Sequence, residues 1–496
     1  MKLTLTVLIG GVAIAAAACG AGGAASSSTA TPTTPTTTTP TTPLPVASGQ
    51  LAIVLSRPED TAMTANVRVT ADGDVYLEYG AASGSYTAQT TTAAATTTTP
   101  AVLAMSGLAP DTSYYYRARY RPKTESAYRT DIEHVFHTKR LSGNTFTFAI
   151  QADPHLDGNS GTTVYTRTLS NELADKPDFL MDLGDTSMVE KCAIDGTTLC
   201  VPPAPATQAS VTARYALLRS YFDQVCHSMP LLMVLGNHDG ETGWADVPSA
   251  NQLDTWSVLT RKIFFSNPEP DRFYTGSSVS AAGIGLRQNY YAFEWGNALF
   301  VVLDPYTYTP TKPSANGWGW TLGATQYQWF ANTLASSRAR YKFVFSHHML
   351  GGNGSETRGG AAFASYFEWG GRNLDGTWAF NTQRPGWAAP IHQLMVDNHV
   401  TAWFHGHDHL YAREEVDGIV YQEVPQPSLS RYDTPDPAAG YGYVGTNGVN
   451  IFPSSGHLRV TVSASDVKVE YVRSVATADE TATRKNATIV TSYVIR

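Results

Sequence analysis

The segment Val400-Thr401-Ala402-Trp403-Phe404-His405-Gly406-His407-Asp408-His409 joins an apolar run to a turn that carries three histidines. A run of β-branched and aromatic residues of this length reads as a buried strand. Gly406 lets the chain bend at its end, so His407 and His409 stand where the strand turns out towards solvent. A His-x-His turn is not a metal site by itself, because surface turns carry histidines too. What decides the matter is whether other strands bring further ligands to the same edge.

They do so in series. Phe146 to Ile150 is an apolar strand ending in Gln151-Ala152-Asp153-Pro154-His155, and a helix from about Thr163 to Leu173 follows. Phe179 to Leu183 is a second strand, ending in Gly184-Asp185. After a helix near Val211 to Val225, Leu231 to Leu235 is a third, ending in Gly236-Asn237-His238-Asp239. Tyr291 to Trp295 and Leu299 to Leu303 pair across Gly296-Asn297, a helix spans Gln326 to Leu334, and Lys342 to Phe345 runs into Ser346-His347-His348. A helix near Pro390 to Asn398 precedes the strand before His405, and Leu458 to Val462 with Val467 to Tyr471 reads as a final hairpin. Buried strands alternating with helices predict a layered α/β domain over 144–496, with its site at the carboxyl ends of the strands.

The 496 residues suffice for two or three domains, and 42% hydrophobic residues is ordinary for a globular chain. A net charge of −8 and a pI near 5.9 argue against a nucleic-acid-binding or anionic-membrane surface. Residues 1–18 hold one charge, Lys2, before an apolar stretch that ends in alanines, which reads as an export signal. The region Ala16-Ala17-Ala18-Cys19-Gly20 resembles a bacterial lipobox, with Ala16 where leucine is common. It implies a lipidated Cys19 and a lipoprotein of the cell envelope; the alternative is cleavage to a secreted form. Residues 19–49 are rich in Thr and Pro and form a tether. In an exported protein Cys192 and Cys200 are candidates for a small disulfide, leaving Cys226 over, although spacing does not determine connectivity.

Residues 50–139 alternate as short strands, with Val75, Leu77 and Tyr79 in one and Tyr114, Tyr116, Ala118 and Tyr120 in another. The passage from Leu108 to Tyr116, closed by Phe136-His137-Thr138, resembles the late part of a fibronectin type III module. An all-β, immunoglobulin-like sandwich follows, with its tyrosines in the core and no chemistry of its own.

Taken in order, Asp153 with His155, Asp185, Asn237 with His238, His347, and His407 with His409 resemble the blocks of the calcineurin-like metallophosphoesterase superfamily. With the sandwich in front, the arrangement is similar to that of purple acid phosphatases. The resemblance implies a four-layer α/β/β/α fold and a binuclear centre that takes Mn, Zn or Fe. It makes Asp153, His155 and His409 ligands of one ion, Asn237, His347 and His407 ligands of the other, and Asp185 the bridge. It also implies in-line attack of a metal-held hydroxide on a small-molecule phosphoester. His238 then faces the substrate, with Asp239 orienting its other nitrogen. Singly, each residue has a structural alternative, such as Asp153 capping a helix or Asn237 stabilising a turn; the ordered set carries the reading.

Two departures stand out. Met188 occupies the place of the purple acid phosphatase tyrosine, so the ferric charge-transfer colour should be missing. The insertion at 351–389 carries Asn353, Arg358, Arg372 and Arg384 with Trp369, Trp378 and Trp387. It reads as a lid in which Asn353 and Arg358, with His348 beside the centre, bind substrate; the alternative is a surface loop. His405, His392 and His399 match no ligand position. A phosphomonoesterase is expected first, a phosphodiesterase acting on nucleotides or glycerophosphodiesters second. An inactive surface binding protein is the rival of another class, and the complete ligand set speaks against it.

Overall fold

The computed structural model describes residues 46–157, 160–191, 206–247, 251–313, 316–353, 357–433, 438–443 and 450–496. The export signal, Cys19, the tether up to residue 45 and the Cys192–Cys200 bridge lie outside the described residues. Cys226 is a buried free thiol.

The strand Phe146–Gln151 pairs in parallel with Leu180–Asp182, which pairs in parallel with Leu231–Met233. Parallel strands are covered on both faces, which is why their sequences are continuous apolar runs rather than alternating ones. With these ends in register, Asp153, Asp185 and Asn237 leave one edge of a nine-stranded sheet. A second sheet of eight strands holds Ala298–Val302, Tyr341–Phe345 and Ala402–His405, again in parallel. That sheet delivers His347, His407 and His409.

An aromatic core draws on both sheets: Phe148 and Phe179 from one, Phe300, Phe343, Phe345 and Phe404 from the other. The Phe300 and Phe345 rings stack at 6.0 Å, and Phe148 meets Phe300 edge-on at 5.0 Å. A second cluster joins the eight-stranded sheet to the helices Gly323–Ser336 and Ile391–Asp397. A third joins the nine-stranded sheet to Thr162–Ala174, Gln208–Phe222 and Leu253–Phe264. The last of these helices was not expected from the sequence, and Val467–Arg473 is not the final strand, because Thr488–Ile495 pairs beside it.

The strand-rich stretch from Leu51 to His137 keeps Tyr79, Tyr116 and Tyr120 in its core, as expected. Its strands Leu51–Ser56, Ala62–Val69 and Ala101–Ser106 continue the nine-stranded sheet, joined where Ser56 lies opposite Leu231.

The insertion is not a lid along its whole length. Trp369 is fully buried, packs 4.7 Å from Trp403 and donates its indole N–H to the Tyr421 hydroxyl at 2.8 Å. Arg384 pairs with the buried Glu368 and donates to the carbonyls of Trp318 and Trp320. Arg372 donates to the Gly376 carbonyl. Trp369 and Arg384 anchor the insertion to the core, which leaves them no part in gripping a substrate, whereas Arg372 is exposed and bonds within the insertion.

Candidate metal centre

Backbone hydrogen bonds lace the strand-end loops together: Asp153 N–H to the Gly184 carbonyl at 3.0 Å, His155 N–H to that of Asp185 at 3.1 Å, and Gly406 N–H to that of His347 at 2.9 Å. Asp153, His155, Asp185, His407 and His409 all have left-handed backbones, with φ between 52° and 84°. For residues with a Cβ this costs about 1 kcal/mol each and persists where the surroundings over-determine it. Gly406 has a different reason to be glycine from the bend expected of it. A Cβ there would strike the Asp153 carboxylate and the Ala152 methyl. Gly236 is constrained likewise by the Asp185 backbone and carboxylate.

Each key carboxylate is held by one oxygen and presents the other. Asp153 Oδ2 accepts the His407 N–H at 2.8 Å, and Asp185 Oδ1 accepts the His238 N–H at 2.7 Å. Asp153 Oδ1 lies 3.7 Å from His155 Nε2, 3.7 Å from His347 Nε2 and 3.6 Å from His409 Nε2. Asp185 Oδ2 lies 3.2 Å from His347 Nε2 and 3.8 Å from His155 Nε2. His347 Nδ1 donates to the Leu183 carbonyl at 2.9 Å, which fixes the ring with Nε2 facing inward. Donor atoms of Asp153, His155 and His409 fall within 4.8 Å of one another, and so do those of Asp185, His347 and His407. The first triad and the meeting of His347 with His407 are as the sequence led one to expect, and Asp185 falls in the second group while also lying beside His155.

Whether these residues suit metal ions can be judged from their unmet bonding. Asp153 Oδ1, His155 Nε2 and Asn237 Oδ1 are buried and have no hydrogen-bond partner among the described residues. Hard carboxylate and amide oxygens with imidazole nitrogens are the donor set of Mn, Zn and Fe, and two cations would complete these atoms. The charges agree. Burial pushes the Asp185 carboxyl up, but His347, His238 and His155 outweigh it and hold it well below its usual range. Burial lowers His347, yet Asp185 and Asp153 raise it to about 10, and the same competition takes His155 to about 9. Without metal, protons on the imidazoles balance the two carboxylates, and metal uptake must release them.

Around this centre the structure corrects and extends the sequence reading. Asp239 does not orient His238. Its carboxylate accepts the backbone N–H groups of Asp185, Thr186, Ser187 and Gly236 at 2.9–3.0 Å and the Ser187 hydroxyl at 2.8 Å, so it clamps the Asp185 loop. The carboxylate beside His238 is Glu190, with Oε2 3.3 Å from Nδ1. His348 is buried and donates Nδ1–H to the Met349 carbonyl. Arg358 donates to the His407 carbonyl at 2.9 Å and to Asp408 at 3.0 Å, which places it on the back of the His407 turn. Asn353 is exposed and its amide donates to the Gly440 carbonyl, not to a candidate ligand. His405 stacks on Trp403 at 3.9 Å with Nδ1 2.6 Å from Glu423, outside the ligand sets as expected.

Arg214 was not anticipated. From the helix Gln208–Phe222 it donates to the carbonyls of His155, Leu156 and Ser187 at 2.7–2.8 Å, stitching two ligand loops together. Asp157, 3.7 Å from His155 Nδ1, was also passed over. Neither has a sequence signature, because each is defined by partners from another loop.

The profile of calcineurin-like phosphoesterases matches residues 146–411, more than half of the chain. The structure of PhoD is similar with a TM-score of 0.61 at 16% identity, covering 89% of this chain and 89% of that one. Purple acid phosphatase PPD1 from yellow lupin (Lupinus luteus) seeds is similar with a TM-score of 0.56 at 13% identity, covering 89% of this chain and 73% of that one. At such identities the likeness is one of fold. No curated protein matches the sequence. The profile match, together with two groups of candidate metal ligands at the strand ends, leads to one assignment: the chain belongs to the calcineurin-like phosphoesterase family and is a hydrolase acting on phosphoric ester bonds.

Proposed function

We propose that the protein is a phosphomonoesterase in which Asp153, His155 and His409 hold one ion, Asn237, His347 and His407 the other, and Asp185 stands between them. The observation that carries this reading is the set of buried ligand atoms without a hydrogen-bond partner among the described residues, Asp153 Oδ1, His155 Nε2 and Asn237 Oδ1, on the loops that follow the strands Phe146–Gln151 and Leu231–Met233. Two Mn, Zn or Fe ions, when bound, supply Lewis acidity and an activated water. His238, oriented by Glu190 at Nδ1, offers its other nitrogen to a phosphoryl oxygen or to the leaving group. Asp239 keeps the Asp185 loop in place, and Arg358 supports the turn that carries His407 and His409.

A monoester suits the exposure of the centre. His409 and His238 retain 23% and 26% of their side-chain surface, whereas His347 and Asp153 retain none. A site open at its rim and sealed behind takes one phosphoryl group and leaves its single ester arm in solvent. The α/β/β/α layering, a fibronectin-like fold for residues 50–139, and export with a lipid anchor at Cys19 belong to the same reading. It describes an envelope enzyme held out on a Thr/Pro tether, working on small phosphoesters.

Protein loaded with Mn, Zn or Fe is to be assayed on a monoester and a diester with the same leaving group. The monoester is expected to react faster; a diester rate tens of times greater overturns the choice. Asp185→Asn is expected to abolish turnover and weaken retention of both ions, and normal turnover in that variant would refute its place between them.

A further inference from the structure

Beside His347 and His407 three rings pack edge to face: Tyr306, Trp320 and His348. Their centroids are 4.8–6.1 Å apart and their planes cross at 78–80°. The His348 ring lies 5.1 Å from that of His407, and the Tyr306 ring 6.5 Å from that of His347. All three are at most 2% exposed. Nevertheless Tyr306 Oη, Trp320 Nε1 and His348 Nε2 have no hydrogen-bond partner among the described residues. Each unmet buried polar group costs about 1–3 kcal/mol, so three in one cluster are more than packing accounts for. Phenylalanine would fill the place of Tyr306 without that cost.

The position of Tyr306 is closely determined. Its backbone N–H donates to Asp304 Oδ1 at 2.7 Å, and its carbonyl accepts the Gly243 N–H at 3.1 Å, tying it to the loop that follows Asn237-His238-Asp239. Its phenol O–H is a hydrogen-bond donor. The neighbouring Trp320 indole N–H is a second donor. Both donors belong to the ring cluster beside His347 and His407, and a tetrahedral oxyanion held at the centre brings the acceptors that they lack.

We propose that Tyr306 is a substrate-binding residue whose hydroxyl donates to an oxygen of the bound phosphoryl group or phosphate product, with the Trp320 indole N–H as a second donor and His348 packing both rings in place. The proposal rests on the reading of the centre as a phosphoesterase site. It assigns to this site a recognition element from the loop after Ala298–Val302, distinct from the insertion.

Tyr306→Phe removes the hydroxyl alone, and Trp320→Phe removes the indole N–H but keeps an aromatic ring. Both are to be prepared with Mn beside the parent, and three quantities measured: bound metal, affinity for inorganic phosphate by calorimetry, and kcat/KM on a monoester. Metal content is expected to be unchanged. Phosphate affinity and kcat/KM should fall about tenfold to hundredfold in Tyr306→Phe and about threefold to tenfold in Trp320→Phe. A purely structural tyrosine would lower the melting temperature and leave phosphate affinity alone. Parent-like phosphate affinity in Tyr306→Phe overturns the proposal while the phosphoesterase reading stands. A parent that neither binds phosphate nor hydrolyses any phosphoester overturns both.

Discussion

Five candidate ligands with left-handed backbones show what the individual residues bear: Asp153, His155, Asp185, His407 and His409 give up local comfort to face a shared centre. Other residues near them bear electrostatic cost. Burial pushes the Glu414 carboxyl up to about 7, while its Oε2 accepts the Ala361 N–H at 2.7 Å. The folded pKa lies above the unfolded one, so folding favours the protonated acid. Its ionisation therefore costs stability as pH rises from the unfolded pKa through 7. Glu414→Gln keeps the acceptor without the charge. Between pH 5 and pH 8 the parent is expected to lose about 2 kcal/mol relative to this variant in urea unfolding, and an unchanged difference would contradict the assignment. Glu190→Gln should act on catalysis instead. It is expected to lower kcat at least tenfold with metal content unchanged, since the bond of Glu190 is to the His238 ring.

Secondary-structure elements meet at this site through one arginine. The helix Gln208–Phe222 contributes no ligand, yet Arg214 extends from it to three carbonyls on the His155 and Ser187 loops. Arg214→Met leaves those carbonyls without their charged donor. The expected cost is about 3 kcal/mol of stability, with metal lost more readily on dialysis against chelator. Arg214→Lys should rescue little, because one ammonium does not fork to three acceptors. Full metal retention in both variants would show that the loops hold their form without the helix.

The molecule as a whole is tied across the start of its α/β part. The Leu55 N–H donates to the Cys226 carbonyl at 2.9 Å, the Tyr116 hydroxyl to that of His227 at 2.6 Å, and the buried Arg219 to the Asn66 carbonyl at 2.7 Å. These bonds accompany the shared sheet edge where Ser56 meets Leu231. The N-terminal strands thus cover an edge that would otherwise stand open. A chain that begins at residue 140 is expected to melt at least about 10 °C lower than one that begins at residue 46, or to aggregate. Equal melting temperatures would show that the two parts fold independently.

The alternation of buried strands with helices, and the polar residues that end those strands, were legible in the amino-acid order. Phe146–Gln151, Tyr341–Phe345 and Ala402–His405 are mainly apolar, with Thr147, Gln151, Lys342 and His405 as the exceptions, because parallel strands are covered on both faces. Residues set at the ends of such strands meet without further instruction, so Asp153, Asp185, Asn237 and His407 could be named together. The helix Leu253–Phe264 was missed because its buried Asp254 and Arg261 mask the apolar face, and their partners Arg287 and Glu241 lie outside it. Glu190, Arg214, Tyr306 and the true work of Asp239 were likewise out of reach. The chain order alone determined which side chains arrive at the strand ends, since hydrophobic periodicity is written locally. Only the tertiary structure decided which carboxylate meets which ring and which donors stay unmatched, since those pairings join residues far apart in the chain.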